Sequence, residues 1–167
     1  MKTTVRKLEK DDLDLLDRIS DSMEDNHRSG TMLREEMRAN ISNTGNLGDI
    51  YGLFSEKNLI IGCCSLTDAD DFSCYKFWTT DSKAISILYI EQEYRENEYN
   101  YFKLIDFILN DTSNKDINIY FNNDMNLDTD LYKKLGFILL YDDTWVRVSE
   151  RYRIDNNIEE NLVRNEN

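Results

Sequence analysis

Tyr132 is the residue of this chain whose type and position most readily suggest chemistry. It lies in residues 131–137, LYKKLGF, a pattern that predicts the last turns of a helix, a stop at Gly136 and a strand that opens with Phe137. A phenol one turn before a helix end could face a cleft, where a positioned acid can give a proton to a leaving group. The same ring could also pack in the core with its hydroxyl at the rim.

The segments around Tyr132 predict the strands and helices that would position it. An almost continuous apolar run, residues 85–90, is typical of a central strand covered on both sides. Hydrophobic periodicity then predicts further elements in this order: a helix over 97–110, a strand over 117–121, a helix over 128–135, and a hairpin of strands 137–141 and 145–148.

The first half of the chain predicts a strand, two helices and a hairpin. Residues 3–8 alternate as a strand does, and Asp11 or Asp12 can cap the helix that follows. A break at residues 26–30 separates this helix from a second, short one, and residues 43–48 form a turn-rich loop. The hairpin is predicted over residues 50–54 and 59–66, with a turn at 55–58. After it, we expect a loop over residues 68–71, whereas residues 72–78 either extend a strand or line a pocket.

The order of these elements, together with two motifs, resembles the GNAT superfamily of acyl-CoA-dependent N-acyltransferases. Residues 126–137 resemble the family pattern N-x-x-A-x-x-x-Y-x-x-x-G-F, although Asn126 is one residue nearer to Tyr132 than usual and Asp128 stands where Ala is common. The resemblance implies an α/β (α+β) fold: a mixed, mostly antiparallel sheet of six to seven strands with helices on both faces. We expect a single domain over residues 1–150 and a polar, flexible tail over 151–167.

The second motif is the cofactor loop, which in the family reads R/Q-x-x-G-x-G/A after the central strand. Arg95 matches its first position, but Glu98 and Asn100 replace its two small residues, and Glu96 adds a carboxylate. Main-chain amides and a helix amino terminus hold anions, and close like charges cost about 1 kcal/mol even in water. The loop is therefore either a divergent working site or a disabled one.

The resemblance implies a role for each of these positions. Acetyl-CoA would be the co-substrate, and its pantetheine arm would pair with amides near Leu88, Tyr89 and Ile90, which also polarise the thioester carbonyl. Tyr132 would protonate the departing thiolate, and the amine would attack directly in a ternary complex. The remaining implied cofactor contacts are Arg95, Glu96, Asn97, Glu98, Tyr99, Asn100, Tyr101 and Asn126.

A general base must take a proton from the acceptor amine, directly or through water. Glu91 is the first candidate because it follows the central strand, where the cleft should open. Four other carboxylates remain alternatives: Glu93, Asp68, Asp70 and Asp71.

The net charge and the cysteine content limit the possible partners and the possible cellular compartment. The 33 acidic and 20 basic residues give a net charge of −13, which argues against direct nucleic-acid binding and favours a small cationic amine or a basic protein segment as substrate. Cys63, Cys64 and Cys74 have neither disulfide nor zinc spacing, so we expect reduced thiols in a cytoplasmic protein. No apolar run is long enough to span a membrane. A homodimer is possible by analogy with the family.

Other chemistries have weaker support. His27 is the only histidine and lies in a polar loop, so a Ser-His-Asp or Cys-His enzyme is not predicted, although His27 could contact the substrate. Asp124, Asn126 and Asp128 imitate the start of a calcium loop, but its glycine and final glutamate positions are not met, so no metal site is predicted. Two alternatives to the enzyme stay open: an inactive GNAT-like binding domain, and an acidic mimic of nucleic acid.

Overall fold

The computed structural model describes residues 2–26, 29–69, 82–122 and 127–156. Its strands are β1 (Thr4–Lys7), β2 (Asp49–Phe54), β3 (Ile60–Asp68), β4 (Lys83–Ile90), β5 (Ile119–Asn122), β6 (Phe137–Tyr141) and β7 (Thr144–Arg147). Its α-helices are α1 (Leu13–Asn26), α2 (Ser29–Thr44), α3 (Tyr99–Asn110), α4 (Thr129–Lys134) and α5 (Glu150–Asp155).

The seven strands form one sheet in the order β1-β2-β3-β4-β5-β7-β6. The pairs β1–β2, β2–β3, β5–β7 and β6–β7 are antiparallel, whereas β4 and β5 are parallel. This mixed, mostly antiparallel sheet confirms the fold class that the sequence predicted. The chain divides into two compact units, Met1–Leu66 with Ser86–Phe107 and Thr67–Ile85 with Ile108–Asn167, and each is described by itself below.

The first unit buries apolar side chains on both faces of its strands. Leu16 of α1 and Leu33 of α2 pack in one cluster with Ile50 of β2. Successive residues of a strand point to opposite faces, and the next residue, Tyr51, contacts Phe107 of α3 edge-to-face at 6.1 Å. The helices α1 and α2 therefore cover one face of β2, and α3 covers the other.

The second unit has its own apolar core. The cluster joins β4, β5, β6 and β7 through Ala84, Tyr120, Ile138 and Val146. Arg147 of β7 donates to the carbonyl oxygens of Asn114 and Ile117 at 2.9 and 3.0 Å, and its burial lowers its pKa to about 10. These hydrogen bonds tie the turn before β5 to the sheet.

Most element boundaries shift by one to three residues from the sequence prediction, and one segment changes type. The helix α2 includes Asn43 and Thr44, which were predicted as loop, and is longer than expected. Residues 151–155 were predicted as part of a flexible tail, but they belong to α5, which Ser149 caps by accepting the amide hydrogen of Tyr152 at 3.1 Å. Residues 157–167 lie outside the described residues.

Cys63 and Cys64 are both free and fully buried in β3, as the sequence predicted for core thiols. Burial, with a smaller contribution from Glu36, raises the pKa of Cys63 to about 12. Cys74 lies outside the described residues. Within the described ranges, every helix is too short or too polar to cross a bilayer.

Candidate active site

The segment from β4 to α3 has the local structure that an anion-binding loop needs. β4 ends at Ile90, a 3-10 turn covers Gln92–Tyr94, and α3 begins at Tyr99. The residues between the turn and the helix are Arg95, Glu96, Asn97 and Glu98. They stand at the amino terminus of a twelve-residue helix, where the helix dipole favours negative charge.

The amide hydrogens of this loop fall into two groups. Those of Asn100 and Tyr101 donate to the carbonyls of Asn97 and Glu98 at 2.9 and 3.0 Å, and that of Tyr99 donates to Oδ1 of Asn97 at 3.2 Å. Within the described residues, the amide hydrogens of Glu96, Asn97 and Glu98 make no hydrogen bond of normal geometry, although the turn at residues 95–96 directs the Asn97 amide towards a preceding carbonyl. Three consecutive donors at a helix amino terminus can hold a phosphate group.

Asn100 replaces a small residue of the family pattern without occupying this loop surface. Its side chain is 5% exposed. Its Nδ2 donates to the carbonyl of Tyr94 at 3.0 Å, and its Oδ1 accepts from Oγ1 of Thr3 at 3.3 Å. Lys103, one turn further on α3, donates to the carbonyl of Thr3 at 2.9 Å. Asn100 thus anchors the loop to Thr3, the residue before β1, instead of pointing towards a ligand.

Arg95 connects the loop to the end of β4. Its Nε donates to the carbonyl of Ile90 at 2.5 Å, and its guanidinium carbon lies 5.1 Å from the centre of the Tyr89 ring. The hydroxyl of Tyr89 lies 3.0 Å from Oγ of Ser22 on α1. Arg95 forms no ion pair with any carboxylate of the described chain, and its guanidinium lies against the end of β4.

The strand β4 carries the predicted contacts Leu88, Tyr89 and Ile90. On the β3 side, the amide hydrogen of Glu91 donates to the carbonyl of Ile61 at 2.8 Å. Gly62 permits this close pairing, because a Cβ there would lie only 2.7 Å from the carbonyl oxygen of Tyr89. β4 pairs with β5 only over residues 83–85. The other edge of residues 86–90 has no strand partner within the described chain.

Glu91, the predicted base, is half-buried at the end of β4. Burial raises the pKa of its carboxyl above the usual 4.5; the positive charge of Arg18 opposes that rise, and the negative charge of Glu93 adds to it. A raised pKa makes a carboxylate a stronger base. The alternatives Glu93 and Asp68 are exposed, and Asp70 and Asp71 lie outside the described residues.

Tyr132 lies in the second unit, inside an aromatic cluster. α4 begins after Asp128, whose Oδ1 accepts the amide hydrogen of Asp130 at 3.0 Å, and Gly136 ends the turn with φ +90°, as predicted. The Tyr132 side chain is 2% exposed, and its hydroxyl oxygen is buried. Its ring centre lies 4.9 Å from Phe121 and 6.0 Å from Phe137.

A polar group that the sequence analysis did not select lies on the α1/α2 side of the first unit. Glu36 of α2 accepts hydrogen bonds from Oγ of Ser65 on β3 at 2.7 Å and from Oγ of Ser86 on β4 at 3.0 Å. The signal was present in the sequence, since Glu36 is three residues after the core residue Leu33 and one before Met37. That spacing puts a carboxylate on the buried side of a helix.

Several other positions singled out in the sequence cannot be located relative to this site. Asn126, His27 and Asp124 lie outside the described residues. In the described ranges, no group of three or more His, Cys, Asp or Glu side chains could hold a metal ion. A surface cavity of about 620 Å³ lies elsewhere in the first unit and contains none of the predicted site residues; its lining includes Lys7, Glu9, Lys10, Asp11, Thr44 and Asp49.

No family model and no curated protein sequence matches the chain, but solved structures do. A GNAT family N-acetyltransferase from Escherichia coli, YhbS in complex with CoA, matches with a TM-score of 0.61 and 13% identity over 88% of this chain and 81% of that one. An acetyltransferase of the GNAT family from Staphylococcus aureus Mu50 matches with a TM-score of 0.57 and 17% identity, over 87% of this chain and 98% of that one. The chain has the GNAT fold.

A third match has a named acceptor. A chimera of the spermidine N-acetyltransferase SpeG from Vibrio cholerae and hSSAT matches the chain with a TM-score of 0.56 and 15% identity over 91% of this chain and 98% of that one. At this identity the similarity concerns the GNAT fold.

Proposed function

We propose that the protein is an acetyl-CoA-dependent N-acetyltransferase that modifies a primary amine. The observation that carries this proposal is the row of three amide donors at residues 96–98, which make no hydrogen bond of normal geometry within the described chain. They precede α3 and follow Arg95 directly along the chain, whose guanidinium forms no ion pair within the described residues. This arrangement suits a pyrophosphate, because backbone donors survive a change of side chain.

Acetyl-CoA supplies an activated acetyl thioester when it is bound. In the proposed reaction, the amides at 96–98 hold the pyrophosphate and the open edge of β4 near Leu88, Tyr89 and Ile90 pairs with the pantetheine arm. A β4 amide hydrogen then stabilises the negative charge that develops on the carbonyl oxygen. The amine nitrogen forms the new bond to the carbonyl carbon as the carbon–sulfur bond breaks.

Two side chains are proposed for the proton transfers. Glu91 takes a proton from the amine, directly or through water, and its raised pKa supports this role. Tyr132 gives a proton to the thiolate that leaves. The hydroxyl of Tyr132 is buried in this structure, so it must gain access to the thiolate if it is to act.

The acceptor is proposed to be a small cationic amine. The net charge of −13 favours positively charged partners, and one structural neighbour is a spermidine N-acetyltransferase chimera. A protein or peptide amine is the alternative substrate. The buried free thiols of Cys63 and Cys64 support a reducing, cytoplasmic location. A homodimer stays a prediction.

Two observations favour a second candidate, an inactive GNAT-like domain that binds a ligand. The loop has a glutamate at position 98 and the Tyr132 hydroxyl is buried, so a binding function could persist without turnover. The acidic nucleic-acid mimic stays an open prediction from composition alone.

Two assays on the full chain separate these candidates. Calorimetry with acetyl-CoA should give saturable one-to-one binding, and release of free thiol in the presence of spermidine should show turnover. Binding without turnover on spermidine or on a lysine-containing peptide would support the inactive domain. No binding at millimolar acetyl-CoA would reject both the enzyme and a CoA-binding domain.

A further inference from the structure

We propose that Glu36, held by Ser65 and Ser86, is the anionic group that binds the ammonium of a small polycationic acceptor. This inference rests on the proposed acetyl transfer and adds to it a site for the acceptor. Its three residues come from α2, β3 and β4, and all belong to the first unit.

The geometry fixes the carboxylate from two sides. Oε2 of Glu36 accepts from Ser65, which is 2% exposed, and Oε1 accepts from Ser86, which is exposed. The Ser86 hydroxyl also lies 3.3 Å from the carbonyl oxygen of Ser65. A carboxylate has about four acceptor sites, so roughly two remain for a ligand that approaches from the exposed Ser86 side.

No cation of the described chain neutralises Glu36. The nearest arginine along α2 on its amino-terminal side, Arg34, instead contacts Asp17 and Asp21 of α1. Burial is the main cause of the raised pKa of the Cys63 and Cys64 thiols, and the negative charge of Glu36 adds to it. The two hydroxyl donors hold the Glu36 carboxylate in place, and a bound ammonium would supply the positive charge that the described chain does not provide.

The position along β4 indicates why this ligand would be the acceptor. The proposed pyrophosphate site follows the end of β4, so an extended pantetheine arm on this strand would run from Ile90 back towards Ser86. Four residues of strand span about 13 Å. An amine held at Glu36 would therefore lie alongside the arm, next to the part of β4 near Leu88 whose amides polarise the thioester carbonyl.

The chain offers a matched control for Glu36. Glu35 is its neighbour on α2, is exposed, and forms no hydrogen bond or ion pair with the described residues. Glu36→Gln and Glu35→Gln change the net charge equally, so a general effect of the acidic surface would weaken cation binding equally in both. A specific site would respond only to Glu36→Gln.

The test is calorimetric binding of spermidine to the full chain and to its variants, with thermal unfolding to verify folding. We expect Glu36→Gln to weaken spermidine binding at least tenfold, Ser86→Ala to weaken it severalfold, and Glu35→Gln to change it less than twofold. Equal losses in Glu35→Gln and Glu36→Gln, or no spermidine binding by the parent chain, would overturn the proposal.

Acetyl-CoA binding, measured in parallel, keeps this inference distinct from the proposed function. Glu36→Gln should leave acetyl-CoA affinity within twofold of the parent. If the parent binds spermidine through Glu36 but does not bind acetyl-CoA, the cation site stands and acetyl transfer is wrong. A loss of acetyl-CoA affinity in Glu36→Gln that exceeds its loss of spermidine affinity would overturn the assignment of Glu36 to the acceptor.

Discussion

The loop before α3 and the helix α4 diverge from the family pattern in opposite ways. The loop lacks both small residues of its motif, having Glu98 and Asn100 instead, yet three of its amide hydrogens make no hydrogen bond of normal geometry in the described chain. The helix keeps the sequence from Tyr132 to Phe137 closely, yet the Tyr132 hydroxyl is buried among aromatic rings.

This contrast shows that side-chain identity and chemical availability can separate. An anion site made of main-chain donors depends on backbone conformation, which Asn100 maintains from the interior through Tyr94 and Thr3. A general acid depends on one side-chain atom and on its access to the substrate. A matching motif at position 132 therefore does not by itself predict an accessible hydroxyl, and a mismatched motif at residues 96–98 does not by itself remove the amide donors.

The largest expected effect tests the α4 side of the comparison. Tyr132→Phe removes only the hydroxyl, so turnover should fall about 100- to 10,000-fold if that group is the acid, while the apolar packing of the ring is retained. Steady-state kinetics and thermal unfolding measure the two quantities. Tyr120→Phe, the same change at another buried tyrosine of the second unit, should leave turnover nearly unchanged. Unaltered turnover in Tyr132→Phe would assign that ring to packing alone.

The next prediction concerns Glu91 at the end of β4. Glu91→Gln should lower turnover about 100-fold and abolish the acidic limb of the pH–rate profile, which should lie above pH 4.5 because burial raises the pKa of this carboxyl. Glu93→Gln, an exposed neighbour, should retain the limb. An acidic limb that persists in Glu91→Gln, or that is lost only in Glu36→Gln, would assign the base to another residue.

The same raised pKa predicts how Glu91 affects stability. Burial favours the protonated Glu91 carboxyl in the folded protein, so the stability that this group contributes is fully present below its pKa of about 4.5 in the unfolded chain. This stability is lost as the pH rises through the raised pKa of the folded state. Glu91→Gln should therefore unfold at a higher temperature than the parent at pH 7, and this advantage should disappear near pH 4. A parent that is more stable than Glu91→Gln at pH 7 would contradict this assignment.

The loop side of the comparison is tested by Asn100→Ala. The change leaves the Tyr94 carbonyl without its side-chain donor and should cost about 1–3 kcal/mol of unfolding free energy. Acetyl-CoA affinity should fall about tenfold, since roughly 1.4 kcal/mol corresponds to that factor and the loop loses its link to Thr3. Chemical denaturation and calorimetry provide the readouts, with the exposed Asn46→Ala as control. Unchanged affinity would show that Asn100 does not maintain the donors.

The smallest expected effect has the opposite sign. Glu98→Gln removes a negative charge beside the proposed pyrophosphate site and keeps every amide of the loop, so acetyl-CoA should bind about fivefold more tightly, or about 1 kcal/mol. Glu98→Gly, which restores the family residue, should also tighten binding. Glu35→Gln controls for net charge alone. Equal affinities in the Glu98 variants and the parent would argue against a phosphate at this loop.

The sequence predicted the elements well where periodicity and turn chemistry agreed. The apolar run before Glu91 and the glycine at position 136 were sufficient to predict β4 and the end of α4. Residues 151–155 were predicted as part of a flexible tail because the apolar content falls after Glu150, but a cap at Ser149 starts a short helix there. Local capping can thus outweigh a composition signal.

The candidate site was only partly predictable. Glu91 and Arg95 could be chosen because they follow a recognisable strand. The partners of Glu36 could not be chosen, because Ser65 and Ser86 are distant from it along the chain and meet it only through the packing of α2 on the sheet. The inward orientation of Asn100 likewise depends on Thr3, far from it in sequence.

The central claim is that the amides of residues 96–98 hold the pyrophosphate, and backbone NMR tests it most directly. On titration of the ¹⁵N-labelled chain with acetyl-CoA, the amide resonances of Glu96, Asn97 and Glu98 should show the largest shifts, while those of Asn100 and Tyr101, already bonded within the turn, should shift less. Saturable binding that leaves these three resonances unmoved, or an absence of any shift at millimolar acetyl-CoA, would contradict the account.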